Sequence, residues 1–100
     1  MAQPVYKLFV GKPTEAWYQL SREERDSVTA KMMESLEKIG VKNVVFCDSS
    51  WSSEQWAFFG VEEYPDIEAV QKHAEDLTEL NWLRYMKTMS VLGTKWEPPK

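Results

Sequence analysis

Apolar and polar positions along the chain fall into two periods, one of strands and one of helices. Val5 to Val10 is a β-branched and aromatic run closed by Gly11-Lys12-Pro13, which predicts a first strand ending in a turn. Thr14 then opens a short turn carrying Trp17, Tyr18 and Leu20. Ser21-Arg22-Glu23-Glu24 is a capping box, in which Ser21 and Glu24 satisfy each other's free amides, so the main helix starts there. Val28, Met32, Leu36 and Ile39 repeat at helical spacing, and Gly40 supplies a left-handed stop. Val41 to Cys47 reads as a second strand, Asp48 to Glu54 as a polar hairpin loop, and Gln55 to Glu63 as a third strand. Tyr64-Pro65-Asp66 breaks that strand and offers Asp66 as the cap of a second helix striped by Ile67, Val70, Ala74 and Leu77. A connection through Asn81-Trp82-Leu83-Arg84-Tyr85 leads into a fourth strand, Met86 to Leu92.

Strand, helix, strand, strand, helix, strand is the ferredoxin-like βαββαβ order. It predicts an α+β fold with a four-stranded antiparallel sheet and both helices on one face. Four strands of about five residues present a bare plane of roughly 300 Å² on the other face, near the limit a monomer leaves exposed when it is apolar. Alternation divides the strand residues into two sets. Tyr6, Leu8, Val10, Val45, Cys47, Ala57, Phe59, Val61, Met89 and Val91 form the more uniformly apolar set, expected to meet the helices. Lys7, Phe9, Val44, Phe46, Asp48, Trp56, Phe58, Glu62, Thr88, Ser90 and Leu92 mix aromatics with polar groups in the manner of an interface. On this division Phe9, Phe46, Trp56 and Phe58 face a second copy in a symmetric homodimer.

One hundred residues leave room for one core, so a single domain spanning 1–100 is expected. With 43% hydrophobic and 28% charged residues the chain has the composition of a folded globule. A net charge of −4 with no basic stripe argues against nucleic acid as a partner. No stretch approaches the roughly 20 apolar residues of a membrane span, and Met1-Ala2-Gln3-Pro4 lacks an export signal, so a cytoplasmic protein without a membrane partner is expected. Cys47 has no second cysteine to pair with and reads as a small buried hydrophobe. One histidine, one cysteine and dispersed carboxylates provide no metal-ligand spacing. Glycine-rich phosphate loops and nucleophile elbows are absent, so neither a metal nor another cofactor is expected.

Lys12-Pro13 and Trp17, then Leu20-Ser21-Arg22-Glu23-Glu24-Arg25, Phe58-Phe59-Gly60-Val61 and Tyr64-Pro65-Asp66 give the chain a resemblance to the dimeric α/β barrel superfamily. Within it, the chain resembles an uncharacterised bacterial branch akin to the darcynin-like proteins. The superfamily includes cofactor-free antibiotic-biosynthesis monooxygenases and polyketide cyclases. The resemblance implies a barrel between subunits filled by side chains, and a ligand pocket between each sheet and its own helices. The implied pocket lining is Tyr6, Leu8 and Phe59 from the sheet, Trp17 and Tyr18 before the first helix, and Trp82 and Tyr85 after the second. Cyclases of this type carry a Tyr or His around the second helix as acid or base, and His73 stands in that region.

With an ordinary pKa near ~6.5, His73 is suited to exchange a proton at neutral pH, and it is the candidate catalytic residue. On the helical wheel it sits beside the Val70 and Leu77 stripe, a placement that equally describes a boundary histidine with one wet nitrogen. The aromatics suit a flat conjugated ligand and serve equally as core. Two functions follow as expectations. One is a cofactor-free cyclase or monooxygenase-like enzyme acting on an aromatic or polyketide-like intermediate of secondary metabolism. The other is a non-catalytic ligand-binding or accessory protein of a pigment or secondary-metabolite pathway.

Overall fold

The structure, a computed structural model, describes residues 3–99. Met1 and Ala2, read above as part of a non-export N-terminus, lie outside the described residues. The elements run β1 (Val5–Pro13), α1 (Glu15–Tyr18), α2 (Arg22–Ile39), β2 (Lys42–Asp48), β3 (Phe58–Tyr64), α3 (Ile67–Glu79), α4 (Trp82–Tyr85) and β4 (Met86–Gly93). The four strands form one antiparallel sheet in the order β2-β3-β1-β4, the ferredoxin-like arrangement expected from the pattern. No helix among the described residues is long and apolar enough to cross a membrane.

Helix boundaries follow local chemistry. Ser21 Oγ accepts from the Glu24 amide at 3.1 Å while Glu24 Oε1 accepts from the Ser21 amide at 2.9 Å, and Gly40 ends α2 at φ 86°. Asp66 caps α3 by accepting from the Ala69 amide at 2.8 Å. Strand ends depart from the expectation by more than one residue at two places. Gly11-Lys12-Pro13 continues β1 instead of turning, because β4 pairs Lys12 with Lys87 and Pro13 with Met86; the β3 ladder has ended at Gly11, so at Pro13 the strand is paired on one side only, like an edge. β3 begins at Phe58, not Gln55, because the Gln55 and Trp56 amides are taken by Ser53 Oγ at 3.2 and 2.9 Å and do not join the ladder.

The core is small and sits at one end. Val5 and Tyr64, paired across β1 and β3, pack with Ala69 of α3, bordered by Ile39, Val41 and Val70. This contact defines which sheet face the helices cover. Counting by twos from Val5 and Tyr64 puts Lys7, Phe9 and Gly11 of β1 and Glu62, Gly60 and Phe58 of β3 on the helix side. Phe46 of β2, opposite Gly60, joins them and stacks on Phe9 with ring centroids 6.1 Å apart. Tyr6, Leu8, Val10, Phe59, Val61, Met89 and Val91 lie on the outer face.

Apart from Val44, at a register shift in β2, and Trp56 and Ala57, which precede β3, the division into two sets stands, and their assignment is reversed. Phe9, Phe46 and Phe58, expected at a dimer interface, face the helices; Tyr6, Leu8 and Phe59, expected in a pocket, face outward. The physical reason is that the helix side carries a polar cluster, described below, so uniform apolarity marks the other face. The α3 stripe is shifted as well: Ala69 and His73 are buried, whereas Ile67 and Ala74 are exposed.

Two glycines seat the aromatic rings. A Cβ at Gly60 would lie 2.7 Å from both Phe9 Cζ and the Val45 carbonyl oxygen, and one at Gly11 would lie 2.5 Å from Phe58 Cζ. Gly60→Ala is expected to destabilise the fold by about 1–3 kcal/mol in urea titration, since a backbone oxygen cannot swing aside. Gly11→Ala is expected to cost less, because only a side chain obstructs it.

Candidate functional site

Polar groups converge where α2 and α3 cross above β1 and β3. His73, on α3, is 3% exposed. Its Nδ1 lies 2.8 Å from Ser35 Oγ on α2, and Ser35 Oγ lies 2.7 Å from Asp76 Oδ2, one helical turn beyond His73. The proton assignment follows from donor counting. Ser35 and the Lys72 ammonium, 3.3 Å away, hold the Asp76 carboxyl below its ordinary range, so it is ionised and only accepts. Ser35 spends its single hydroxyl proton on Asp76 and must accept from His73. His73 is thereby fixed as the Nδ1–H tautomer, with Nε2 left as a lone-pair acceptor.

Nε2 makes no hydrogen bond, and among the described residues no fully buried side-chain nitrogen or oxygen lacks a partner. The atom is therefore not sealed off completely from solvent. Burial pushes the His73 pKa down to about 4, helped by the positive charge of Lys7 and opposed by Asp76.

The floor beneath His73 comes from the sheet. Tyr64 is 0% exposed, its ring centroid is 6.1 Å from that of His73, and its hydroxyl donates to Glu62 Oε1 at 2.8 Å. Burial, then the Glu62 charge, drives the Tyr64 phenol far above its ordinary pKa, so it remains a donor. Lys7 stands opposite Glu62 in the ladder, and burial lowers its ammonium pKa against the pull of that carboxylate. Along the same side, Phe9, Phe46 and Phe58 form an aromatic triangle with centroids 5.5–6.3 Å apart. Phe46 is 59% exposed, so the helices leave this part of the sheet uncovered.

The remaining expected site residues lie elsewhere. Trp17 and Tyr85 meet edge-on at 6.3 Å at the Pro13–Met86 end of the sheet, where Thr14 Oγ1 donates to the Arg84 carbonyl. Arg25 holds the Trp17 and Tyr18 carbonyls and lies 5.9 Å from both rings. Trp82 is half-buried on α4, and Trp56 is half-buried in the loop before β3. Tyr6 and Leu8, with Val61 and Val91, line an open concavity of about 480 Å³ on the outer face, away from His73. Ser35, Lys7 and Glu62 were not expected at the site. The one signal for Ser35 was a lone hydroxyl between Met32 and Leu36 on a buried stripe. No group of three or more metal-ligating side chains occurs among the described residues.

An α+β protein of ferredoxin-like fold, with a buried histidine network between its two main helices, is the class these features define. The chain belongs to the family of unknown function DUF6616, whose sequence profile matches residues 7–100. No curated protein matches it. Among solved structures, a protein of unknown function from Rhodopseudomonas palustris is similar at TM-score 0.66 and 14% identity, over 98% of this chain and 86% of that one. A hypothetical protein of Arabidopsis thaliana is similar at TM-score 0.58 and 13% identity, over 98% and 93%. A protein from Bacteroides fragilis, described as dimeric, of unknown function and ferredoxin-like in fold, is similar at TM-score 0.51 and 13% identity, over 92% and 96%. At these identities the likeness is one of fold.

Two outcomes are expected of this network. Ser35→Ala leaves the Nδ1–H of His73 buried without an acceptor and should destabilise by about 1–3 kcal/mol in denaturant titration. Because the folded pKa of His73, about 4, lies below its unfolded value of 6.5, the unfolded state binds the extra proton between these limits. The stability from His73 is therefore full above pH 6.5 and is lost as pH falls to 4. His73→Asn, which keeps a donor near the Nδ1 position but does not titrate, should flatten that slope in denaturation curves measured across the window.

Proposed function

We propose that this protein is a small-molecule-binding dimeric α/β barrel, of the cofactor-free cyclase or monooxygenase-like kind, acting on an aromatic or polyketide-like intermediate of secondary metabolism. The observation that carries the reading is His73, held by Ser35 and Asp76 as the Nδ1–H tautomer with Nε2 unbonded, on the same side of the sheet as the Phe9, Phe46 and Phe58 rings. The cleft proposed as the ligand site is the helix-side space between them. A neutral imidazole so oriented can take a proton from a carbon next to a carbonyl. The C–H electron pair then moves toward the carbonyl oxygen, and the imidazolium formed is stabilised through Ser35 by the Asp76 carboxylate. Tyr64 and Glu62 close the floor below.

The low basicity of His73, about 4, favours a second reading. A weak base has little driving force at neutral pH, and the same cleft would serve an accessory protein that holds its ligand without converting it.

Self-association is supported by the outer face. Leu8 sits there between Val61 and Val91, and Leu8 and Val91 are 48% and 61% exposed in one copy. A second copy is the cover that suits a strip of this shape, and the Bacteroides fragilis protein of ferredoxin-like fold is described as dimeric.

In D2O, 2-tetralone serves as a flat ketone probe whose α-protons exchange on enolisation. Protein-dependent exchange, lowered about 100-fold by His73→Asn with 2-tetralone binding retained, is expected of the enzyme reading. Binding with no exchange supports the accessory reading, and no binding overturns both. In sedimentation, the wild type is expected at twice its chain mass of 11.7 kDa and Leu8→Glu at that mass. A wild type that sediments as single chains at micromolar concentration contradicts the dimer.

A further inference from the structure

We infer that Lys7 is the anion seat of the helix-side cleft, and that the ligands it selects are flat conjugated acids carrying a carboxylate or an ionised enol or phenol oxygen. The inference rests on the cleft being the ligand site and adds the class of molecule it takes.

Lys7 lies on the same sheet face as Phe9, two residues away, which spaces their Cα atoms by about 7 Å. That is close to the length of a fused two-ring system. Phe9 lies over Gly60 and Phe58 over Gly11, so the rings rest on strand backbone and form a floor on which a planar molecule can stack. Phe46, largely exposed, continues the floor to the mouth of the cleft. A ring stacked on Phe9 and Phe46 would bring a substituent at its inner edge to the Lys7 ammonium.

The acids nearest Lys7 are already engaged. Glu62 accepts from the Tyr64 hydroxyl and forms no ion pair with Lys7 within 4 Å. Asp76 is bound by Ser35 and by Lys72. His73 contributes no positive charge near neutral pH. Among the described residues, Lys7 is thus a half-buried ammonium without a salt-bridge partner. Removing such a group from water costs energy that an anion in the cleft would offset, and a charge-assisted hydrogen bond there is stronger than at an open surface. The same charge is felt by the His73 imidazole, so an oxygen that binds at Lys7 and gains negative charge as His73 takes a proton would also be stabilised.

The test compares 2-naphthoate with 2-naphthamide, which share shape and differ in charge. Binding is followed by calorimetry, and the site by resonances of His73 and Phe9. The wild type is expected to bind 2-naphthoate about tenfold more tightly or better. Lys7→Met should abolish that preference while keeping 2-naphthamide binding, and Lys7→Arg should retain it; amide spectra verify that both variants fold. Equal affinity of the wild type for the two probes, or a preference that survives in Lys7→Met, overturns the role of Lys7 and leaves the cleft intact. If neither probe moves the His73 or Phe9 resonances, the cleft is not the ligand site, and both proposals fall.

Discussion

Tyr64 has no solvent contact, and its position governs the rest of the molecule. Its ring packs against Val5 and Ala69, and its hydroxyl donates to Glu62 two residues earlier on the same strand. A strand side chain cannot turn inward without taking every second neighbour with it. With Tyr64 beneath α3, Glu62, Gly60 and Phe58 must also look toward the helices, and the ladder brings Val5, Lys7, Phe9 and Gly11 with them. One buried aromatic at the end of β3 thus selects a helix side that holds two charges, two glycines and two phenylalanines.

That choice leaves the helix layer only partly bound to the sheet. The packed core occupies the end around Val5 and Tyr64, and the contact between α2 and α3 is reinforced by Ser35, His73 and Asp76. Farther along the helix side, Phe46 remains largely exposed. The Cα extents, 53 × 31 × 16 Å, describe a thin slab, and the radius of gyration of 14.7 Å exceeds the roughly 13 Å of a compact 100-residue domain. The exposed Phe46 on the helix side and the uncovered outer face are two consequences of the same shortage of material: two principal helices cannot cover the whole of one four-stranded sheet.

The cleft then has a consistent electrostatic layout. The only tautomer compatible with the Ser35 and Asp76 bonds points the basic nitrogen of His73 away from the helices' own network. Tyr64 and Glu62 satisfy each other below. Lys7, half-buried, faces Glu62 across the ladder and, among the described residues, forms no ion pair within 4 Å.

Element order, the α2 capping box, the Gly40 stop and the Asp66 cap were legible in the sequence because each depends on residues within a few positions of one another. So was the two-fold alternation of the strands, and with it which residues travel together. Which of the two sets meets the helices was not legible. The rule that the more apolar set is buried by the chain's own helices fails when a polar site occupies that side and the apolar set is left bare. Ser35, Lys7 and Glu62 are far apart in the chain and unremarkable in their local patterns. They acquire chemical meaning through the ladder register and the crossing of α2 over α3, contacts of long sequence separation that tertiary packing alone decides.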